Sequence, residues 1–260
     1  EGSQRAWISD GTTAGTHVVD KTLAKNPRLF TELKGEVYFV GEDSNGVVQV
    51  FMINVQDNSF AIDVVSQFSS DPTKPDITQL HGVGGMLFIS RDTASASKTD
   101  LFSYAHKSGN GPDRLNTFHL DGTAGSDQLL AVAASFNDRL IFAANDGTGR
   151  GRELWISDGT AANTELLADL ASGGDHGAPG AFVVDGSVMF FVAAKPTGGS
   201  TSDLVAYQLD QNFAIKELAT ITPSFTPTSG TEALDIASFA GNAVDFTYYV
   251  ATQNGSGDYA

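Results

Sequence analysis

Glu153-Leu154-Trp155-Ile156-Ser157-Asp158-Gly159-Thr160-Ala161-Ala162-Asn163-Thr164 repeats a stretch near the start of the chain, Arg5-Ala6-Trp7-Ile8-Ser9-Asp10-Gly11-Thr12-Thr13-Ala14-Gly15-Thr16. Two copies of so specific a string mark an internal repeat, the feature that constrains a fold most. The two tryptophans lie 148 residues apart, about three units of roughly 49 residues, a blade-sized period. Degenerate copies stand between and after them: Val50-Phe51-Met52-Ile53-Asn54, Leu101-Phe102-Ser103-Tyr104 and Leu204-Val205-Ala206-Tyr207. The aligned positions 7, 51, 102, 155 and 205 are separated by 44, 51, 53 and 50 residues. A second landmark recurs upstream in each unit, where a Gly, Asn or Asp turn precedes an apolar strand. It reads Gly35-Glu36-Val37-Tyr38-Phe39, Gly85-Met86-Leu87-Phe88, Asp138-Arg139-Leu140-Ile141-Phe142, Gly186-Ser187-Val188-Met189-Phe190-Phe191 and Gly241-Asn242-Ala243-Val244-Asp245-Phe246. Five landmarks imply five units.

Within a unit the pattern is strand, short turn, apolar strand, polar Gly-rich loop, strand with the aromatic, Asp-Gly-Thr turn and fourth strand. Strands joined by turns this short pair antiparallel with their neighbours, so each unit forms a four-stranded sheet. One such sheet cannot bury both faces alone, and stacking of successive sheets supplies the missing partners. The expected fold is therefore an all-β, five-bladed β-propeller with four antiparallel strands per blade. The two ends complete the count. Ile236-Ala237-Ser238-Phe239 and Phe246-Thr247-Tyr248-Tyr249-Val250 read as the first two strands of a unit, while residues 1–20 supply the last two. Joined, they make a split closing blade that removes exposed strand edges. One domain over 1–260 is expected, with blades at about 29–77, 78–128, 129–180 and 181–235, and the last from 236–260 plus 1–28.

Composition agrees with many strands and tight turns, since the chain holds 28 Gly. With 15 basic against 31 acidic residues the net charge is -16, which opposes nucleic acid and anionic lipid as partners. No run approaches the roughly 20 apolar residues of a membrane helix, and residues 1–30 lack the charged start and apolar middle of a signal peptide. Zero cysteine removes disulfides, thiolate catalysis and Cys-based zinc sites together. The five histidines, at 17, 81, 106, 119 and 176, lack metal-helix spacing.

The string Glu153–Thr160, and with its Glu missing Arg5–Thr12, resembles the bacterial ELWxxDGT repeat family. The preceding Asp146-Gly147-Thr148-Gly149-Arg150-Gly151 and the following Leu166-Leu167-Ala168-Asp169-Leu170 are similar to the family's flanks, while the copies at 50–54, 101–104 and 204–207 have lost the Asp-Gly-Thr. The resemblance implies propeller-forming repeats of large exported or surface-attached bacterial proteins, including adhesin-like ones. It implies an extracellular or cell-surface location and further domains in a larger chain, and it brings no catalytic residue.

The motif residues Trp7, Asp10, Gly11, Thr12, Trp155, Asp158, Gly159 and Thr160 are expected to be structural. Gly tolerates the turn's positive φ, Asp and Thr bond the turn's own amides, and the tryptophans pack between blades, with an exposed sugar platform as the alternative. Propellers usually place ligands on the face built from second-to-third-strand loops and blade-to-blade links. That face would carry Glu42-Asp43-Ser44-Asn45, Arg91-Asp92-Thr93, Asn145-Asp146, Arg150, Arg152, Lys195, Asp71, Asp76, Asp127, Asp175 and His176. A single asymmetric site is expected around Asp146, Arg150, Arg152, Asp175 and His176, because the equivalent loops share little chemistry. No cofactor is required, although the acidic loops offer oxygen ligands of the kind calcium takes. Glu32 or Asp235 on innermost strands are candidate glycosidase acids, but no spacing selects a pair, and no Gly-x-Ser-x-Gly elbow occurs. The expected function is a non-catalytic binding or adhesion module for a glycan or protein ligand. The alternatives are an architectural spacer and a glycoside hydrolase-like enzyme.

Overall fold

Hairpin turns set the registers. At each of the first four landmarks the turn residues adopt positive φ: Lys34 and Gly35 at +55° and +82°, Gly84 and Gly85 at +58° and +91°, Asn137 and Asp138 at +49° and +56°, and Gly186 at +59°. Paired positive φ values are those of the turn whose twist matches that of antiparallel strands. The computed structural model describes residues 3–19, 24–56, 59–65, 76–93, 95, 97–120, 129–199 and 201–225. The strands read at 236–239 and 246–250 therefore lie outside the described residues, as do the candidates Asp71, Asp127 and Asp235.

The protein is all-β. The chain falls into two compact units, Glu1–Asn116 and Thr117–Ala260. In the first, β1 (Trp7–Ile8) and β2 (His17–Val18) form a two-stranded ribbon. It is followed by a four-stranded antiparallel sheet of β3 (Lys25–Leu33), β4 (Glu36–Glu42), β5 (Val48–Gln56) and β6 (Ser59–Val64). A second such sheet contains β7 (Ile77–Val83), β8 (Met86–Asp92), β9 (Lys98–Ala105) and β10 (Asp113–His119), in sequence order. The last residues of β10 already belong to the second unit. That unit holds two more sheets, β11 (Ala133–Phe136), β12 (Arg139–Ala144), β13 (Glu153–Ser157) and β14 (Thr164–Ala168), then β15 (Gly180–Asp185), β16 (Val188–Gly198), β17 (Thr201–Asp210) and β18 (Ile215–Phe225). The expected four-strand units are thus present four times. Among the described residues the only helical turn is the 3₁₀ segment Ala161–Asn163.

Burial follows the strand alternation. In β4 and β5, Tyr38, Val40, Val50 and Met52 face the next sheet and pack with Ile77, Leu80, Leu87 and Ile89. Their neighbours Phe39, Phe51 and Ile53 point the other way, onto Ala6, Val19 and Ala24. Both faces of the sheet are covered, as stacking requires. The second unit repeats the device. Ile141, Leu154 and Ile156 pack on Met189, Phe191, Val205 and Tyr207 of the following sheet, while Phe142 and Trp155 turn to the opposite side and meet Phe118 of β10.

The two motif tryptophans part company here. Trp155 is 6% exposed, whereas Trp7 is 66% exposed, which corrects the expectation that both pack between sheets. Ala6 and Ile8 face the core, so alternation sends Trp7 to the other side of its ribbon, the side that Phe118 fills for Trp155.

Candidate functional site

The Asp-Gly-Thr elements form one recurring turn. Asp158 Oδ1 accepts both the amide of Thr160 at 2.9 Å and its hydroxyl at 2.7 Å; Asp10 Oδ1 accepts the same two groups of Thr12, each at 2.8 Å. The middle glycines, Gly11 and Gly159, stand at φ +89° and +91°, where a side chain would be strained. The Thr164 hydroxyl donates to the Thr160 carbonyl at 2.7 Å, so Ser157 is the donor in the 2.7 Å bond between the two hydroxyls. Ser9, Thr12 and Thr16 repeat that chain of bonds. The Asp and Thr side chains at these two turns bond within their own hairpins. Hydrogen bonds from Thr12 hold the Asp10 carboxyl below its usual range. At Asp158 burial pushes upward, but bonds from Thr160 and Asn163 outweigh it and the net shift is downward.

The loop between β12 and β13 contains a third copy of this turn. Asp146 Oδ1 accepts from the Thr148 amide and hydroxyl at 2.9 and 2.6 Å, and its Oδ2 accepts from Arg150 Nη1 at 3.4 Å. The loop packs on the following link: a Cβ on Gly151 would collide with the Asp175 carbonyl, and the Arg152 amide donates to His176 Nδ1 at 3.1 Å. The structure thus brings Asp146, Arg150, Arg152, Asp175 and His176 to one face of the second unit. It also adds His119, whose amide donates to the Asn145 carbonyl at 2.7 Å and whose ring lies against Gly147. A shallow depression is lined by His119, Asn145 and Arg152 above Leu120, Leu129, Ala143 and Ala144.

Beneath this face lies the glutamate of the motif. Glu153 is fully buried, and its Oε1 and Oε2 accept the amides of Gly177 at 2.8 Å and Leu170 at 2.7 Å. Burial pushes its carboxyl up to about 7 despite those bonds. In the first copy Arg5 occupies the same position and donates through Nη1 to the Ala24 carbonyl at 3.0 Å. One residue accepts from its link and the other donates to it, so either polarity tethers the link.

A different arrangement appears in the first unit, at the end of the β7–β9 sheet. Asp92 pairs with Thr99 across β8 and β9, and its amide donates to the Asp76 carbonyl at 3.1 Å. Asp76, Asp92 and Thr99 are therefore consecutive cross-strand neighbours. Side chains directly opposite in antiparallel strands share a face, with Cβ atoms about 4.5–5.5 Å apart. A bulge creates the alignment: Gln79 pairs with Ser90, but Ile77 pairs with Arg91, so one extra residue at Thr78 moves Asp76 opposite Asp92. Arg28 of β3 forms an ion pair with Asp76, and the Thr99 hydroxyl donates to Asp92 Oδ1 at 3.0 Å. Burial raises the Asp92 carboxyl above its usual range; the Thr99 bond opposes this and the charge of Asp76 adds to it. Sequence reading placed Asp76 and Asp92 on the loop face without pairing them, because the bulge carries no sequence signal. Glu32, the other acid considered, accepts the Gly35 amide of its own hairpin at 2.6 Å. Among the described residues no group of three or more His, Asp and Glu side chains could hold a metal.

No family model matches the chain, and neither does any curated protein. Among solved structures it is similar to a puromycin-hydrolysing peptidase of Mycobacterium tuberculosis, with TM-score 0.46 and 13% identity over 80% of this chain and 30% of that one. It is also similar to exo-β-1,3-galactanases. The enzyme from Clostridium thermocellum gives a TM-score of 0.41 with 14% identity over 86% of this chain and 53% of the other. That from Phanerochaete chrysosporium, crystallised with β-1,3-galactotriose, gives 0.40 with 12% identity over 85% and 54%. The chain thus spans about half or less of these proteins' length. The expectation of a non-catalytic binding module or spacer is corrected at this point: the solved structures that the chain resembles are hydrolases, mostly glycoside hydrolases, and a purely adhesive role is not carried forward.

Proposed function

We propose that the chain is a five-bladed propeller that hydrolyses glycosidic bonds with Asp92 as general acid and Asp76 as the partner carboxylate. The observation that carries this reading is the cross-strand pair itself. Glycoside hydrolysis needs two carboxyls on either side of the bond broken, one protonated and one ionised. Environments that push two neighbouring acids apart in acidity assign those roles. Burial and the adjacent negative charge keep a proton on Asp92 to a higher pH than an exposed aspartate, while Asp76 is the more exposed of the two and is ion-paired with Arg28. In this reading Asp92 protonates the leaving-group oxygen, and Asp76 either attacks the anomeric carbon or takes a proton from the attacking water. With no cysteine and no serine elbow in the sequence, a carboxylate pair suits acetal cleavage better than acyl transfer. The fifth blade belongs to the same proposal and rests on the fifth repeat landmark, Gly241-Asn242-Ala243-Val244-Asp245-Phe246, in the sequence. A location outside the cell follows from the motif at Glu153–Thr160.

The test is product analysis with β-1,3-galactotriose and a panel of other neutral and acidic oligosaccharides, with and without calcium. The parent is expected to release reducing sugar from at least one of them. Asp92→Asn and Asp76→Asn should each lower kcat at least ~100-fold, the scale of a lost acid–base group, with an unchanged melting temperature. Full activity in both variants would overturn the assignment, and a parent inactive on every glycan would overturn the enzyme reading.

A further inference from the structure

Counted from the hairpin, Asp92 closes the seven residues of β8. The same ladder position is Glu42 in β4, opposite Val48, and Ala194 in β16, opposite Leu204. An aliphatic partner therefore satisfies the strand pairing at this point. In the sheet β7–β10 the partner is instead Thr99, which is fully buried and whose hydroxyl donates to Asp92 Oδ1 at 3.0 Å. A buried hydroxyl costs free energy unless it is bonded, and this one is bonded to the carboxyl. The charged groups around Asp92 divide between the two faces of the sheet. Asp76 stands beside it, ion-paired with Arg28 of β3. Arg91 and Asp100, opposite one another in the ladder, take the other face, the one that Ile89 shares.

We infer that Thr99 is a positioning residue for the acid: its hydroxyl holds Asp92 Oδ1, so that Oδ2 carries the transferred proton, and it stays bonded to the carboxylate that the transfer leaves. The inference rests on the hydrolase reading of Asp76 and Asp92. With Oδ1 engaged as an acceptor, the proton of the neutral acid belongs on Oδ2. In the step itself Oδ2 passes that proton to the leaving-group oxygen, which keeps the electron pair of the broken glycosidic bond, and the anomeric carbon is taken by Asp76 or by the water that Asp76 deprotonates. Asp92 is left as a carboxylate, and a hydroxyl bonds a carboxylate more strongly than it bonds the neutral acid. Thr99 therefore contributes more to the transition state than to the ground state, which is the kind of interaction that raises kcat. Its β-branch limits the side chain to few rotamers, which suits a residue that orients another.

Two substitutions separate the bond from the packing. Thr99→Val keeps the shape and removes the donor, whereas Thr99→Ser keeps the donor and removes a methyl group. The full chain and both variants are compared by titrating the Asp92 carboxyl with carboxyl-carbon NMR, the signal being identified with Asp92→Asn. They are also compared by pH–rate profiles on β-1,3-galactotriose, or the panel oligosaccharide that the parent cleaves fastest, and on the dinitrophenyl glycoside of the same sugar. Loss of the donor removes an interaction that favours the carboxylate, so in Thr99→Val the Asp92 midpoint and the alkaline limb of kcat should both move to higher pH. On the oligosaccharide kcat should fall about tenfold or more with KM held within about twofold. On the dinitrophenyl glycoside, whose leaving group departs without a proton, kcat should stay within about twofold of the parent. Thr99→Ser should return midpoint and limb to the parent's position. A midpoint that moves to lower pH in Thr99→Val would show that the hydroxyl accepts from the acid, and would overturn the assignment of the proton to Oδ2. Equal loss on both substrates, or the same loss in Thr99→Ser, would make Thr99 a packing residue. An active parent with an unmoved Thr99→Val profile would remove the positioning role and leave Asp76 and Asp92 in place. A parent inactive on every oligosaccharide would remove the hydrolase reading itself, and the role with it.

Discussion

Glu153 shows how one side chain links sequence repeat to stability. Its carboxyl is fully buried, and burial raises it from 4.5 to about 7. Between those values the folded chain holds a proton that the unfolded chain has released, so stability must fall as pH rises. The contribution is complete below pH 4.5, declines toward pH 7 and is constant above it; a shift of this size corresponds to about 3 kcal/mol. Chemical denaturation across pH 4 to 8 should show the decline, and Glu153→Gln should abolish it. The amide retains one acceptor but faces the second backbone N–H with a donor, so the variant should also lose about 1–3 kcal/mol at pH 5. A flat pH dependence in the parent would mean that the carboxylate is fully satisfied by Gly177 and Leu170. The repeat predicted a structural role for Trp155, and its neighbour Glu153 was legible only as a motif letter. Its function depends on residues 17 and 24 positions away, which no local reading reaches.

At the scale of the element, the decisive feature is the bulge in β7. The hairpin turn at Gly84 and Gly85 fixes one register, in which Val83 faces Met86 and Gln79 faces Ser90. Continued unchanged, it would place Asp76 opposite Thr93. The extra residue at Thr78, whose hydroxyl shares a 2.6 Å hydrogen bond with Ser90, shifts the register by one and seats Asp76 beside Asp92. A one-residue slip also reverses which face each side chain occupies. Inserting one residue between Asp76 and Ile77 should therefore carry Asp76 opposite Thr93 and separate the carboxyls, whereas deleting Thr78 should straighten the ladder and leave Asp76 opposite Asp92. The expected result of the insertion is loss of glycan hydrolysis with circular dichroism retained, and activity surviving the insertion would show that register does not assemble the pair. The Asp-Gly-Thr turns lie at the opposite extreme. Their conformation depends on bonds within a few residues, so Asp10, Asp146 and Asp158 build the same turn in three settings.

At the scale of the molecule, sheets acquire stability by covering one another. The sheet β3–β6 owes its buried Phe39, Phe51 and Ile53 to the short ribbon of β1 and β2, although that ribbon pairs only two residues from each strand. Removing residues 1–20 should uncover that face. The expected outcome is aggregation or a fall of at least 10 °C in melting temperature, seen by scanning calorimetry and light scattering, and an unaltered melt would rule out the ribbon as a structural part of the fold. The sequence by itself determined the strand content, the four-strand period, the positive-φ hairpins and the local turns, because each depends on residues close together in the chain. Tertiary structure alone decided that Trp155 is covered and Trp7 is not, that Glu153 tethers a link, and that Asp76 stands beside Asp92. Those outcomes depend on which sheet covers which face and on a single inserted residue in a ladder, and the energies of such long-range pairings are not written in any short stretch of sequence.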